Sequence, residues 1–381
     1  MTVYRASLAV VSTLMCGSLV AAHDFGRWGD ETLAMIERDF AVPGSRLLAE
    51  EVPRDGERPR PAFVWPAGVQ LSAYAAAAQL SGVFDAKLAG YVDALEAHWV
   101  VHRGVGGYNA AANAPPDRYY DDNAWLVLGL VEAYEATGEQ RYLERARQAF
   151  AFVMTGEDDR FGGGVYWREN DRSTKNTCSN APAVVGALRL HQHGGGGDDL
   201  EIAKRLYRWT LDNLLDTESG LLNDHIKQDG TIDTRRYTYN TGLMIRAGSL
   251  LFAATGDGRY LRDAQNLADA SERRWVDPGT RRLTGGAKFA HLLLEALLEF
   301  DRVAPDGRWP EVADATGLGL LGSRGKNSER YPAQWSAKKW ARPSRALIDQ
   351  ASAARAFYVL AMSRSGKSTP AAARGDSTDG G

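Results

Sequence analysis

The sequence predicts an all-α (α/α)6 barrel, six inner helices ringed by six outer ones, and three observations carry that expectation. One phrase occurs twice: Tyr134-Glu-Ala-Thr-Gly-Glu-Gln-Arg-Tyr-Leu-Glu-Arg-Ala146 returns as Phe252-Ala-Ala-Thr-Gly-Asp-Gly-Arg-Tyr-Leu-Arg-Asp-Ala264, offset by 118 residues. Weaker copies around Ala89 and Ala203 put the true period near half that offset, the length of a stacked helical hairpin. The hairpins also hold two kinds of helix, one amphipathic and one apolar on every side. A helix that is apolar all round is buried all round. Finally, each kind occurs six times, and the N-terminal helix supplies the twelfth member that closes a ring rather than leaving an open solenoid.

Taken in order, residues 1–22 read as a secretory leader. Arg5 precedes an apolar run from Ala6 to Val20, and Val20-Ala21-Ala22 supplies small residues for cleavage before His23. Removal of this segment takes Cys16 with it and leaves Cys178 unpaired, so the expected location is secreted or periplasmic. Residues 23–362 form the barrel, a single catalytic domain. Its apolar helices begin near Pro66, Asn123, Ala181, Thr241, Phe289 and Gln350. Amphipathic partners occupy residues 28–40, 84–100, 141–154, 198–214, 259–275 and 306–316, as Leu143, Ala146, Phe150 and Val153 illustrate in the third of them. Residues 363–381 are small and polar, too poor in apolar groups to order themselves, and read as a disordered tail.

Composition narrows the function. A net charge of −3 gives no general attraction to nucleic acid or anionic lipid. Beyond the leader no apolar stretch is long enough for a membrane span, so a soluble, exported monomer is expected. Two cysteines make no disulfide framework, and no Cys/His spacing suits a metal; neither metal nor cofactor is expected. There is almost no strand patterning to support a Gly-x-Ser-x-Gly hydrolase elbow. Ten Trp and fifteen Tyr exceed what such a core needs and suit flat, half-apolar ligands such as sugar rings.

In a barrel with parallel inner helices, the residues just before those helices meet at one mouth. Here they are Trp65; Tyr119, Tyr120, Asp121, Asp122 and Asn123; Lys175, Asn176 and Asn180; Tyr237, Tyr239 and Asn240; Lys288; and Trp335 and Asp349. Aromatic faces, amides and carboxylates are the equipment of a saccharide site. Asn180, Asn240 and Asp349 serve equally well as helix N-caps, and Trp65 and Trp335 taken singly read sooner as core than as sugar platforms; their joint position argues for the site. Asp121-Asp122 is the chemical candidate. Glycoside hydrolysis needs two carboxyl groups, and crowding two like charges pushes their pKa values apart into acid and nucleophile.

The heptapeptide Tyr119-Tyr-Asp-Asp-Asn-Ala-Trp125, with Ala133-Tyr-Glu-Ala-Thr-Gly138 closing its helix, resembles glycoside hydrolase family 76, the endo-α-1,6-mannanases and related fungal cell-wall proteins. The resemblance continues through Gly163-Gly-Val-Tyr-Trp167, Lys175-Asn176 with Asn180, Tyr239-Asn-Thr-Gly242 and Ala287-Lys-Phe289. It implies a retaining hydrolase acting on α-mannan oligo- or polysaccharide, with Asp121 as nucleophile and Asp122 as acid/base. Two other readings stay open on the residues alone. One is a sugar epimerase on the same barrel, which would need paired histidines, although His98, His102, His225 and His291 do not precede inner helices. The other is a glycan-binding protein without catalysis.

Overall fold

The computed structural model describes residues 23–194, 197–325, 328–335 and 342–366. Twelve α-helices run through them. The inner six are α2 (Val64–Leu80), α4 (Tyr120–Thr137), α6 (Thr177–Gln192), α8 (Thr238–Thr255), α10 (Ala287–Val303) and α12 (Leu347–Ser365). The outer six are α1 (Phe25–Asp39), α3 (Asp85–Leu95), α5 (Gln140–Met154), α7 (Asp199–Leu214), α9 (Gly258–Trp275) and α11 (Arg308–Gly322). Each inner helix packs on the next, and α12 packs back on α2, so the ring is closed. The outer partner of α12 is α1, from the other end of the chain. The expected (α/α)6 barrel is therefore what forms.

The repeated phrase has one physical meaning in both places. Gly138 and Gly256 end α4 and α8 in the left-handed region (φ 74° and 70°), which a side chain would strain. Their N–H groups return to Tyr134 O (2.7 Å) and Phe252 O (2.8 Å). The preceding threonines donate back to Ala133 O and Leu251 O, and each accepts the N–H of the acidic residue after the glycine.

The inner helices start about three residues earlier than the apolar pattern alone suggests, because their first turns reach the mouth and carry aromatic, polar or charged residues. They are not capped by side chains. Incoming loops satisfy several of the first N–H groups instead: Val64 bonds to Ala110 O, Thr177 to Asp224 O, Ala287 to Ala333 O and Leu347 to Glu50 O, at 2.8–2.9 Å. Asn180, Asn240 and Asp349 therefore do not act as N-caps; each lies inside its helix's first turn.

The loops also contain more strand than the sequence suggests. Among the described residues they form β1 (Trp99–His102), β2 (Val105–Tyr108), β3 (Tyr166–Arg168), β4 (Asp171–Asn176), β5 (Leu215–Asp216), β6 (Leu221–Leu222), β7 (His225–Lys227), β8 (Ile232–Asp233), β9 (Gly285–Gly286) and β10 (Gln334–Trp335). An antiparallel sheet in the order β3-β4-β7-β8 stands over the mouth. These strands are two to six residues long and largely polar, too short to show alternation in the sequence. The helix α3 is also shorter than expected, ending at Leu95 before a 3-10 turn and β1.

At the far end, α12 continues through Ser365 and stops at Gly366 (φ 66°), so the first residues of the expected tail are helical. The rest of that tail, and the leader over residues 1–22, lie outside the described residues. No described helix is long and apolar enough to cross a membrane.

Candidate active site

All six inner helices contribute their N-terminal ends to one open cleft of about 1120 Å³. That exceeds the usual small-molecule pocket of roughly 300–1,000 Å³ and suits a chain of rings. One wall is aromatic. Tyr239 stacks on Phe289 at 4.4 Å with 12° between planes, and Phe289 stacks on Trp65 at 5.7 Å. The Lys288 ammonium lies 5.0 Å over Phe289 and 5.4 Å over Trp65. Across the cleft, Tyr119 meets Trp167 edge-on at 5.1 Å.

Asp121 and Asp122 sit half-buried in the first turn of α4, on the cleft. Their surroundings differ. Asp121 Oδ2 accepts the Trp167 indole N–H at 2.9 Å and the Cys178 thiol at 3.4 Å. Burial lifts its pKa to about 6, while those two donors and the N–H groups of the helix start hold it from going higher. Asp122 receives no such bond from the described residues. Burial, then the adjacent Asp121 and Asp117 charges, push it well above the usual carboxylate range. The contacts thus hold Asp121 nearer the ionised form, while the surroundings of Asp122 favour its protonated form.

The cleft gathers Trp65, Tyr119, Asp121, Asp122, Asn176, Tyr237, Tyr239, Lys288 and Asp349 as expected. Six expected sugar contacts lie elsewhere, and the reason is mostly which way a residue faces. Tyr120, next to Tyr119, turns inward to stack on Phe152 at 4.9 Å. In β4 successive residues alternate sides, so Thr174 and Asn176 face the cleft and Lys175 does not. Lys175 Nζ instead donates to Asp158 Oδ1 (2.6 Å) and to the carbonyls of Asp158, Arg160 and Gly163. In β10 Gln334 faces the cleft while Trp335 is buried beside Arg282 and Leu283. Asn240, next after Tyr239, is buried in the core, where its amide has no partner among the described residues.

Asn123 and Asn180 have a shared structural task. The Asn123 amide accepts the Tyr108 N–H (2.6 Å) and donates to the Tyr108 carbonyl (2.9 Å). Asn180 does the same with Val165, at 2.7 and 3.0 Å, and Gln350 with Tyr331, at 2.8 and 3.0 Å. Each amide is the fourth residue of its inner helix and pairs with a loop residue as a neighbouring strand would.

Several cleft residues escaped the sequence reading: Asp117, Trp125, Trp167, Asp224, His225 and Arg235. Trp125 had a signal, since it stands one helical turn after Asp121. Asp224 and His225 had none, because β7 is remote from any inner-helix start. Asp224, His225 and Asp233 form a compact acidic and imidazole group. Arg235 bonds Asp233 at 3.0 Å and lies 3.5 Å from Asp224, and His225 Nδ1 meets Asp224 at 3.0 Å. Of the four histidines weighed for an epimerase, His225 lines the cleft. His98 and His291 are buried in the core, with burial pulling His291 down to about 4.

A closed helical barrel with a carboxylate pair in an aromatic cleft defines a six-hairpin glycosidase architecture. The glycosyl hydrolase family 76 model matches residues 49–372, and the chain belongs to that family. A GH76 α-mannanase from Bacteroides thetaiotaomicron superposes with a TM-score of 0.85 at 28% identity, over 91% of this chain and 98% of that one. An inactive variant of an α-1,6-mannanase from Salegentibacter, with two adjacent aspartates changed to asparagine and α-1,6-mannotriose bound, has the same fold (TM-score 0.75, 24% identity, 89% and 100% covered). Among curated proteins, the meiotically up-regulated gene 191 protein of Schizosaccharomyces pombe is 28% identical over 54% of this chain and 50% of its own length. The mannan endo-1,6-α-mannosidase DCW1 of Candida glabrata is 26% identical over 40% and 37%. The matches thus span about half or less of those curated relatives.

Proposed function

We propose that this chain is a retaining glycoside hydrolase that cleaves α-1,6-linked mannan internally. The observation that carries the reading is the unequal pair at the start of α4, Asp121 held toward the anion by two donors and Asp122 held toward the acid by burial and its neighbours' charge. The activities named for the relatives support the substrate class.

In the first step the Asp121 carboxylate attacks the anomeric carbon, forming a glycosyl ester as the bond to the departing sugar oxygen breaks. That oxygen takes the Asp122 proton. In the second step Asp122, now a base, removes a proton from water as its oxygen attacks the same carbon, and Asp121 leaves as a carboxylate. Two displacements at one carbon retain configuration. The aromatic wall offers stacking surface for rings on either side of the cleaved bond. Export with loss of residues 1–22 is part of the same proposal, checked by mass determination of the mature N-terminus.

The test is product analysis on linear α-1,6-mannan, with mass spectrometry for chain length and proton NMR for the first anomer released. Short oligosaccharides appearing early as the α-anomer are expected. An unchanged polymer, a β-anomer, or an epimerised sugar would each overturn the proposal.

A further inference from the structure

Among the described residues Cys178 belongs to no disulfide; it is the second residue of α6, buried but against the cleft. Its sulfur stands 3.4 Å from Asp121 Oδ2, the same oxygen that Trp167 Nε1 reaches at 2.9 Å. The two donors arrive from different elements, Trp167 from β3 and Cys178 from α6. Neither element is free to drift. The loop before β3 turns through Gly163 and Gly164 (φ 134° and 82°), and a Cβ on Gly164 would lie 2.5 Å from the Trp209 ring. Lys175 binds three carbonyls of that loop, and Asn180, two residues after Cys178, pairs with both backbone groups of Val165. The segment presenting Trp167 and the helix presenting Cys178 are therefore tied to each other.

We propose that Cys178 is a positioning residue which, together with Trp167, clamps Asp121 Oδ2 by donating its S–H to it, fixing the carboxylate's orientation and favouring its ionised form. This rests on Asp121 being the nucleophile of the proposed hydrolase. The sulfur has to be the donor, because two anions at this distance would repel, and burial with the Asp121 and Asp224 charges keeps the thiol protonated. The groups that face this clamp are Asp122 on the same helix, Asp117 and Tyr119 before it, Asp224 and His225 at β7, and Tyr239 on α8. Apart from His225 these are acidic or phenolic, and the cations Arg168 and Arg235 pair with Asp117 and with Asp224 and Asp233. A neutral donor offsets their field where a cation would also change the acid, Asp122.

The test reads the Asp121 carboxyl itself, in the full-length protein without substrate, by carbon-13 NMR titration of aspartate labelled at the carboxyl and assigned with Asp121→Asn. The parent midpoint is expected near 6. Cys178→Ala should move it up by about half a unit, the share of a weak S–H donor to a charged acceptor, and Trp167→Phe by about one unit or more. Cys178→Ser keeps a donor and should stay close to the parent. A Cys178→Ala midpoint unchanged from the parent, or Ser and Ala midpoints that coincide, overturns the clamp. Cooperative melting of the Ser variant controls for misfolding. Because the readout needs no turnover, a parent that shows the shifts but leaves mannan uncut would overturn the proposed function while upholding the clamp.

Discussion

At the residue scale, two neighbouring carboxylates on one helical turn differ in acidity because of what each touches. Asp121 accepts two hydrogen bonds and Asp122 faces other negative charge. That asymmetry makes the roles testable separately. Asp121→Asn should abolish the covalent glycosyl-enzyme, since an amide is a poor nucleophile, and trapping with a fluorosugar followed by mass spectrometry checks it. Asp122→Asn should slow cleavage of mannan by about a hundredfold or more, yet spare a substrate whose leaving group needs no proton. The pH profile follows from the same pair. Asp121 must be ionised, so kcat/KM should fall below a midpoint near 6, while the alkaline limb, set by Asp122, should vanish in Asp122→Asn on the activated substrate. A profile flat through pH 6 would remove Asp121 from the role of nucleophile.

At the element scale, the barrel's mouth is organised by amides that act as extra strand edges. Asn180 satisfies both backbone groups of Val165, whereas the amide of Asn240 is buried with no partner among the described residues. Replacing each by leucine should separate them. Asn180→Leu should cost about 2–3 kcal/mol, because it strands two buried backbone groups, and Asn240→Leu should be neutral or stabilising. Urea unfolding measures both; equal losses would mean volume rather than hydrogen bonding controls these sites. The same contrast shows what was legible in the sequence. Apolar helices, their number and the phrase ending in Gly138 and Gly256 survive as local patterns, so the ring and its mouth could be read. Which side of a short segment meets the cleft depends on pairing with distant chain. Tyr119 and Tyr120, Asn176 and Lys175, Gln334 and Trp335 are neighbours in sequence with opposite fates, set by strand alternation and by the exact first residue of a helix. Trp167 reaches the site by bonding Asp121, 46 residues earlier, and His225 by pairing opposite Asn176 of β4, and no local periodicity encodes either contact.

At the scale of the whole molecule, the axis of the barrel is held by charge rather than by hydrocarbon alone. Arg355 from α12 binds Glu132 of α4 and Glu295 of α10, both at 2.7 Å, and donates to Ser72 O of α2 at 3.0 Å. Arg246 of α8 adds Glu299 at 2.7 Å and lies 3.4 Å from Glu295. One guanidinium thus joins four of the six inner helices. Removing it leaves two buried carboxylates without their closest counter-charge, and Arg355→Met should lose about 3–5 kcal/mol at neutral pH, read by urea unfolding. The pH dependence identifies the cause. Burial alone would raise Glu295, but Arg355 and Arg246 pull it down to about 2, so in the parent its contribution is present above the unfolded value of roughly 4.3 and fades only as pH falls toward 2. In the variant that depression is weakened, and the stranded carboxyls can take up protons as acid is added. The deficit between variant and parent should therefore shrink from pH 7 to pH 4. A deficit equal at both values would mean that Arg355 matters through the packing of its stem, and that the barrel axis does not depend on its charge.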